Sequence, residues 1–219
     1  MKPKLVIFDL DGTLLDTIDD LKEAVNHAMG LRGFPIFTRD EVMAMVGHGA
    51  RNLMRQALPL GHKDDDMVDA AYDDFRAYYI THIDVHTKPF AGIQDLLTQL
   101  HQEGVLLAVA SNKFQEGTEY LIKEFFPEIP FVAVLGGRPG FPLKPDPEIV
   151  GEVLRKAGVE KEDAVMIGDS PTDMETAVNG GVRGIAVNWG YRDMSSIENL
   201  LVANSVEELF FYLKKHQNT

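Results

Sequence analysis

Short apolar segments recur along this chain, and each is followed by a glycine or a polar residue. Runs of this length are typical of strands buried on both faces of a parallel sheet. Between them, apolar residues recur at helical spacing and stop at Gly104 and Gly158, the kind of position at which helices end. This alternation predicts an α/β fold with a doubly wound parallel sheet. The predicted strands are residues 5–10, 105–110, 131–135, 164–167 and 184–187.

The segment from residue 18 to residue 82 interrupts the alternation, because its apolar residues recur only at helical spacing. We therefore predict four short helices, packed as a small bundle above the loop that follows the first strand. Such an insertion would act as a lid, with hinges near residues 16–17 and 88–92. The sequence thus predicts two domains: an α/β catalytic core of residues 1–16 and 89–219, and an α-helical cap of residues 17–88.

Composition narrows the class of protein and of partner. A chain of 219 residues with 45% hydrophobic and 25% charged residues is typical of a folded globular protein. The net charge of −13, without a long basic run, argues against nucleic-acid or anionic-membrane partners. There is no cysteine and no apolar run of about 18 residues, so we expect no disulfide, no membrane span and a cytoplasmic location. The sequence does not distinguish a monomer from a homodimer.

Two carboxylates, Asp9 and Asp11, lie two residues apart at the end of the first predicted strand. Alternate residues of an extended chain share a face, and Gly12 allows the backbone to turn sharply. The two carboxylates can therefore converge beyond the carboxyl edge of the sheet, where open α/β folds bind ligands. Taken alone, such a pair more often caps a helix or binds a structural cation.

Other polar residues follow the later strands, and in a parallel sheet these positions lie along the same edge. They are Ser111 and Asn112 after the second predicted strand, Lys144 before a predicted helix, and Asp169 and Asp173 after the fourth strand. Together with the first two aspartates, they supply a carboxylate nucleophile, a carboxylate for proton transfer, ligands for phosphate oxygens and ligands for a hard cation. This set is chemically complete for phosphoryl transfer.

These motifs resemble the four signatures of the haloacid dehalogenase superfamily, in the same order and at comparable intervals over nearly the whole chain. The first signature, DxDGTLLD, is specific, and the fourth, GDSPTD, is moderately so. The resemblance implies a Rossmann-like core with an inserted helical cap, Mg²⁺ as the cofactor, and a hydrolase that works through an aspartyl-phosphate. It also implies a small phosphorylated metabolite as the substrate.

The resemblance further implies a role for each matched carboxylate. Asp9 would be the nucleophile, and Asp11 the general acid that protonates the leaving group and the general base that then activates water. Mg²⁺ would be bound by the carboxylates of Asp9 and Asp169 and by the backbone carbonyl of Asp11. Asp173 would lie behind these ligands and orient them.

The remaining matched residues would hold the transferring phosphoryl group. These are Ser111, the backbone N–H of Asn112, and Lys144, whose charge would also keep Asp9 ionised. Because the dehalogenases of the superfamily lack a carboxylate at the position of Asp11, its presence here favours phosphate-ester chemistry.

Residues 45–54, MVGHGARNLM, resemble the cap segment of phosphoglycolate phosphatases, which implies 2-phosphoglycolate as the substrate. Arg51 is the candidate for binding the substrate's carboxylate, because a guanidinium pairs with two oxygens. His48 is a second cap candidate. The competing interpretation is structural: an arginine on an amphipathic helix is usually solvated, and the glycines beside His48 are typical of a turn between helices.

Three alternatives stay open at this point. A sugar-phosphate mutase of the β-phosphoglucomutase kind would use the same two aspartates, and a nucleotidase or pyrophosphatase would share the core motifs. A receiver-like signalling domain that stores phosphate on an aspartate is the non-enzymatic alternative. The long cap and the lysine-proline segment at residues 144–145 argue against that last alternative.

Overall fold

The structure is a computed structural model that describes residues 2–197 and 200–215. Its strands are β1 (Leu5–Phe8), β2 (Leu15–Asp16), β3 (Lys88–Pro89), β4 (Leu106–Phe114), β5 (Phe131–Gly137), β6 (Ala164–Gly168), β7 (Arg183–Val187) and β8 (Val202–Ala203). Its helices are α1 (Ile18–Gly30), α2 (Arg39–Met45), α3 (Ala50–Ala57), α4 (Asp65–Tyr79), α5 (Ile93–Gln102), α6 (Gln115–Phe125), α7 (Glu148–Ala157), α8 (Pro171–Gly180) and α9 (Val206–Lys215), with a short 3-10 helix at Lys161–Asp163.

Six of the strands form one sheet in the order β5-β4-β1-β6-β7-β8, and every neighbouring pair is parallel. The central strand β1 alternates its side chains between two cores: Val6 and Phe8 pack on one face of the sheet, and Leu5 and Ile7 on the other. Helices cover both faces. The predicted doubly wound α/β class is confirmed.

The strand β4 extends further than the sequence predicted. Its apolar run ends at Ala110, but the strand continues through three buried polar residues, Ser111, Asn112 and Lys113, as far as Phe114. Hydrophobicity alone marks only the part of the strand in the core. The polar extension reaches past the carboxyl edge of the sheet and carries functional groups with it.

The helical insertion lies between β2 and β3 and consists of α1–α4. These two short strands pair antiparallel with each other, Leu15 opposite Pro89 and Asp16 opposite Lys88, so the two connections between insertion and sheet run side by side. The helices begin where the sequence supplies caps: Thr38 forms a capping box at the start of α2, and Asp64 accepts the N–H of Met67 in α4. Within the described residues, no helix is long and apolar enough to cross a membrane.

A buried carboxylate, Asp20, ties the two connections together. It lies in the first turn of α1 and accepts hydrogen bonds of 2.7–3.0 Å from the backbone N–H groups of His86 and Thr87 and from the Thr87 hydroxyl. These donors immediately precede β3. The Asp20 side chain therefore joins the first helix of the insertion to the last residues of the insertion.

Asp20→Ala is expected to lower the free energy of unfolding by about 3 kcal/mol, because buried donors would lose a charged acceptor. Its neighbour Asp19 is a matched control: it is half-exposed and, within the described residues, pairs only with Lys22 and Arg39, so Asp19→Ala is expected to cost under about 1 kcal/mol. Urea unfolding of both variants measures the difference. Equal destabilisation would contradict the role assigned to Asp20.

Candidate active site

The carboxyl edge of the sheet and the insertion enclose a narrow cavity of about 60 Å³. Residues outside the insertion line it from five places in the sequence: Asp9 and Asp11 after β1, residues 111–114 in β4, Lys144 in the loop before α7, Asp169 and Ser170 after β6, and Tyr191 and Arg192 after β7. The insertion contributes an apolar wall that includes Leu21, Leu53 and Phe75. The predicted core residues thus meet at one place, as the parallel topology requires.

Lys144 lies between two carboxylates at the base of the cavity. Its Nζ is 2.9 Å from Oδ1 of Asp9 and 2.6 Å from Oδ1 of Asp173, and it also donates to the carbonyl of Ala110 at 2.9 Å. Asp173 is bonded in turn to the N–H and hydroxyl of Ser170, in a capping box at the start of α8. Lys144 is therefore rigidly placed beside Asp9.

The Asp169 carboxylate is held by groups from two loops, one after β1 and one after β7. Its Oδ1 accepts from the Thr13 hydroxyl at 3.3 Å, and its Oδ2 accepts from the N–H of Tyr191 at 2.7 Å. Gly12 makes this approach possible: its φ is +85°, and a Cβ there would lie 2.3 Å from Asp169 Oδ2. A side chain at residue 12 would push Asp169 out of position.

The residues present fit a hard divalent cation. Asp9, Asp169 and Asp173 each offer a carboxylate oxygen within 4.8 Å of the others. Oδ1 of Asp9 is buried near Lys144 but has no donor aligned with it as a hydrogen bond. An all-oxygen set of this kind suits Mg²⁺. The carboxylate of Asp11 lies outside the cluster.

The electrostatics of the cluster also favour a cation. Burial, reinforced by the charge of Asp173 and opposed by Lys144, raises the pKa of Asp9 from 3.8 to about 7. Burial and the charges of Asp173 and Asp9 raise the pKa of Asp169 to about 8. Lys144 therefore acts in the predicted direction on Asp9, but its charge is outweighed by burial. A bound cation would supply the missing positive charge.

Asp11 is oriented by a separate group of side chains. Its Oδ1 accepts from the Thr17 hydroxyl at 2.7 Å and from Lys113 Nζ at 2.9 Å. Lys113 also donates to the hydroxyl of Tyr79 in α4 at 2.6 Å, and the hydroxyl of Tyr191 accepts the N–H of Thr17 at 2.7 Å. The second aspartate is thus linked to both the insertion and its first connection.

Ser111 and Asn112 are both buried at the end of β4. The Asn112 side chain accepts the N–H of Lys144 at 2.8 Å, donates to the Lys144 carbonyl at 3.0 Å, and donates to the Gly47 carbonyl of the insertion at 3.0 Å. The Ser111 hydroxyl accepts the N–H of Lys113 at 3.2 Å. The Asn112 side chain therefore braces the lysine loop, and its backbone N–H remains the group predicted to face phosphate.

The two predicted cap residues lie elsewhere. Arg51 is 45% exposed and pairs with Asp65 and Asp69 of α4, because α3 packs Leu53, Met54 and Ala57 inward and turns Arg51 outward. Arg51 and His48 line a second, open cavity of about 760 Å³. The structure does not bring either side chain to the cavity that holds Asp9.

Sequence reasoning missed several residues of the cavity, among them Lys113, Tyr79 and Arg192. Arg192 donates to the carbonyls of Met43, Ala44 and Val46 at the end of α2, and so joins the core to the insertion. A signal existed for Lys113, because it directly follows Ser111 and Asn112 at a strand end. Tyr79 and Arg192 lie outside the four signatures, and only the fold brings them to the cavity.

Comparisons with known proteins identify the relatives of this chain. Residues 6–187 match the family model described as haloacid dehalogenase-like hydrolase. A phosphoglycolate phosphatase of Mesorhizobium japonicum is 31% identical, over 88% of this chain and 86% of its own. A phosphoglycolate phosphatase of Pseudomonas savastanoi pv. phaseolicola is 37% identical, over 86% of this chain and 71% of its own.

Solved structures agree with the sequence relatives. A protein of Lactobacillus delbrueckii subsp. bulgaricus, provisionally named a phosphoglycolate phosphatase, superimposes with a TM-score of 0.91 at 33% sequence identity. The match covers 97% of this chain and 99% of that one. Both kinds of comparison therefore extend over the sheet and the helical insertion.

Proposed function

This chain belongs to the haloacid dehalogenase-like hydrolases and is a phosphoric monoester hydrolase, and from that premise we propose that it hydrolyses 2-phosphoglycolate through a phosphorylated Asp9. The observation that carries the proposal is the convergence of Asp9, Asp11 and Lys144 in one narrow cavity covered by the insertion. The relatives named phosphoglycolate phosphatase support the choice of substrate. The small volume of the cavity favours a small phosphate ester over a nucleotide.

In the proposed reaction, a carboxylate oxygen of Asp9 attacks phosphorus and the ester P–O bond breaks. Asp11 gives its proton to the departing alkoxide oxygen, which becomes the hydroxyl group of glycolate. Asp11 then accepts a proton from water as the water oxygen attacks the phosphorus, which releases inorganic phosphate and restores Asp9. Lys144, the Ser111 hydroxyl and the Asn112 N–H stabilise the charge on the phosphoryl oxygens throughout.

We propose Mg²⁺ as the cofactor, bound by the Asp9 and Asp169 carboxylates and the backbone carbonyl of Asp11. Asp173 orients the site from behind, since its oxygens already bond Lys144 and Ser170. When bound, the cation neutralises negative charge on the phosphoryl group and on the carboxylates around it.

Stability without divalent cations is expected to fall as the pH rises from about 4 to about 8. The raised pKa values of Asp9 and Asp169 mean that the folded chain binds protons that the unfolded chain has already lost in this range. Mg²⁺ competes with these protons, so it is expected to raise the thermal midpoint by several degrees at pH 8 and by much less at pH 5.5.

Thermal unfolding with EDTA or with MgCl₂ at the two pH values measures this effect. Asp169→Asn, which removes one charged ligand, is expected to lose most of the shift at pH 8. A Mg²⁺ shift of the same size at both pH values, or one that Asp169→Asn leaves intact, would count against this metal site.

We also propose that residues 17–88 work as a cap domain on a core of residues 1–16 and 89–219, opening at the paired connections to admit substrate. Contacts across the cleft support this, among them Asn112 to Gly47 and Lys113 to Tyr79. The cytoplasmic location, and the choice between monomer and homodimer, stay predictions from the sequence.

Phosphate release from a substrate panel tests the proposed function. The panel contains 2-phosphoglycolate, glucose 1-phosphate, a nucleoside monophosphate and pyrophosphate, each with Mg²⁺ and with EDTA. We expect 2-phosphoglycolate to have the highest kcat/KM and release to require Mg²⁺. A higher kcat/KM for the nucleotide or pyrophosphate, or conversion of glucose 1-phosphate to an isomer, would replace the proposed substrate with one of the alternatives.

A further inference from the structure

The cationic side chains that line the active-site cavity differ in the groups that they contact. Lys144 donates to Asp173 and to the Ala110 carbonyl and forms an ion pair with Asp9. Arg192 is bonded to backbone carbonyls at the end of α2. Lys113 is different, because it donates to Oδ1 and Oδ2 of Asp11, at 2.9 Å and 3.3 Å, and to the hydroxyl of Tyr79 at 2.6 Å. The contact with Oδ2 is the longest of the three, so the donor that makes it is the one that a ligand can most easily recruit.

Tyr79 has an unused donor. Its ring is fully buried, and its hydroxyl oxygen accepts from Lys113, but among the described residues no group accepts the phenolic proton. Burial and the nearby charge of Asp11 raise the pKa of Tyr79 well above its usual value, so the phenol keeps that proton. A phenolic proton without an acceptor in the described residues therefore lies beside the ammonium group of Lys113 at the cavity.

We propose that Lys113 and Tyr79 form the subsite that binds the carboxylate of the substrate's leaving group. A carboxylate is the ligand that suits this pair, because its two oxygens can accept one hydrogen bond from each donor and its charge matches the ammonium. This inference rests on the proposed function and specifies how the same site recognises its substrate.

The position of Lys113 relative to Asp11 agrees with this role. Lys113 Nζ lies 2.9 Å from Oδ1 of Asp11, the proposed proton donor to the leaving oxygen. In 2-phosphoglycolate, a single methylene separates that oxygen from the carboxylate. A carboxylate next to the Asp11 end of the cavity is therefore within reach of Lys113.

The surroundings strengthen the subsite and limit its size. Leu21, Leu53 and Phe75 form the apolar wall beside it, and Lys113 itself is 6% exposed. An ion pair formed in such a dry environment is stronger than one in water. The same wall leaves little room for a leaving group longer than glycolate.

The decisive comparison uses two phosphate esters that differ only in the group at the end of the leaving group. 2-Phosphoglycolate carries a carboxylate, whereas 2-hydroxyethyl phosphate has the same skeleton with a neutral hydroxyl. Lys113→Met is expected to lower the ratio of their kcat/KM values by about 30-fold or more, and Tyr79→Phe by about 5-fold. Lys113→Arg, which keeps the charge, is expected to retain much of the preference.

Controls separate this role from others. Lys156→Met removes an exposed lysine from α7, far from the cavity, and is expected to leave both esters unchanged. If Lys113→Met does not fold, as judged by circular dichroism, Lys113→Arg and Tyr79→Phe still report the ratio. Equal losses on both esters would mean that Lys113 only positions Asp11 and would overturn the subsite.

Two further results would also overturn it. Loss of the preference in Arg51→Met but not in Lys113→Met would assign the carboxylate to the cap arginine. A wild-type enzyme that does not prefer 2-phosphoglycolate over 2-hydroxyethyl phosphate would overturn both the subsite and the proposed substrate. This last result is visible before any variant is made, so the two failures are distinguishable.

Discussion

Asp9→Asn is expected to abolish phosphate release from every ester, lowering kcat by about 10⁴-fold or more, because the proposed reaction has no other nucleophile. An amide is similar in size to the carboxylate but is a very poor nucleophile. The loss should be the same for carboxylated and neutral substrates, since Asp9 acts on phosphorus and not on the leaving group. Phosphate release at saturating substrate measures it.

Asp146→Asn is the matched control for this variant. Asp146 lies two residues after Lys144, but its carboxylate is exposed, and in the part of the chain that the structure describes it accepts only the N–H of Glu148, a bond that asparagine can also accept. We expect full activity from this control. Residual activity of Asp9→Asn above a tenth of the wild-type value would point to a different nucleophile.

Lys144→Met is expected to reduce both activity and stability. The ammonium group is buried between Asp9 and Asp173, and its removal leaves two carboxylates without their common partner. Breaking a buried ion pair in this way costs about 3–5 kcal/mol of unfolding free energy. Activity is expected to fall by about 10²-fold or more, because the lysine also faces the transferring phosphoryl group.

Urea unfolding and phosphate release test this expectation together. In the Lys144→Met background, Asp173→Asn removes one of the two unpaired charges, so the double variant is expected to be more stable than Lys144→Met alone. Lys156→Met serves as the control for loss of a lysine at the surface. A double variant that is less stable than Lys144→Met would contradict our account. It would mean that the stability lost in Lys144→Met does not come from charge repulsion between Asp9 and Asp173.

The core of the fold was predictable because its determinants are local. Each strand of the sheet that carries a functional residue contains an apolar run, and the parallel arrangement then places Asp9, Ser111 and Asp169 at one edge. The edge strand β8 and the helix α9 were not predicted. β8 is only two residues long, too short to give an apolar pattern.

The contacts of the helical insertion were not predictable in the same way. Arg51 lies in a segment that resembles a substrate-binding helix, but the direction of its side chain depends on how α3 packs against α4 and on the acidic residues Asp65 and Asp69. Lys113 and Tyr79 are 34 residues apart and belong to the sheet and to the helical insertion, respectively. No periodicity joins two such residues, and only the packing of the insertion against the sheet edge brings them together.

The most direct test of the central claim is to trap the phosphorylated residue. Wild-type enzyme with Mg²⁺ is mixed with 2-phosphoglycolate, quenched in acid during turnover and reduced with borohydride, which converts an aspartyl-phosphate to homoserine. Mass spectrometry of the peptides then locates the change. We expect homoserine at position 9, and none when substrate is omitted. Phosphate release without homoserine at position 9, or with homoserine at another aspartate, would contradict the account.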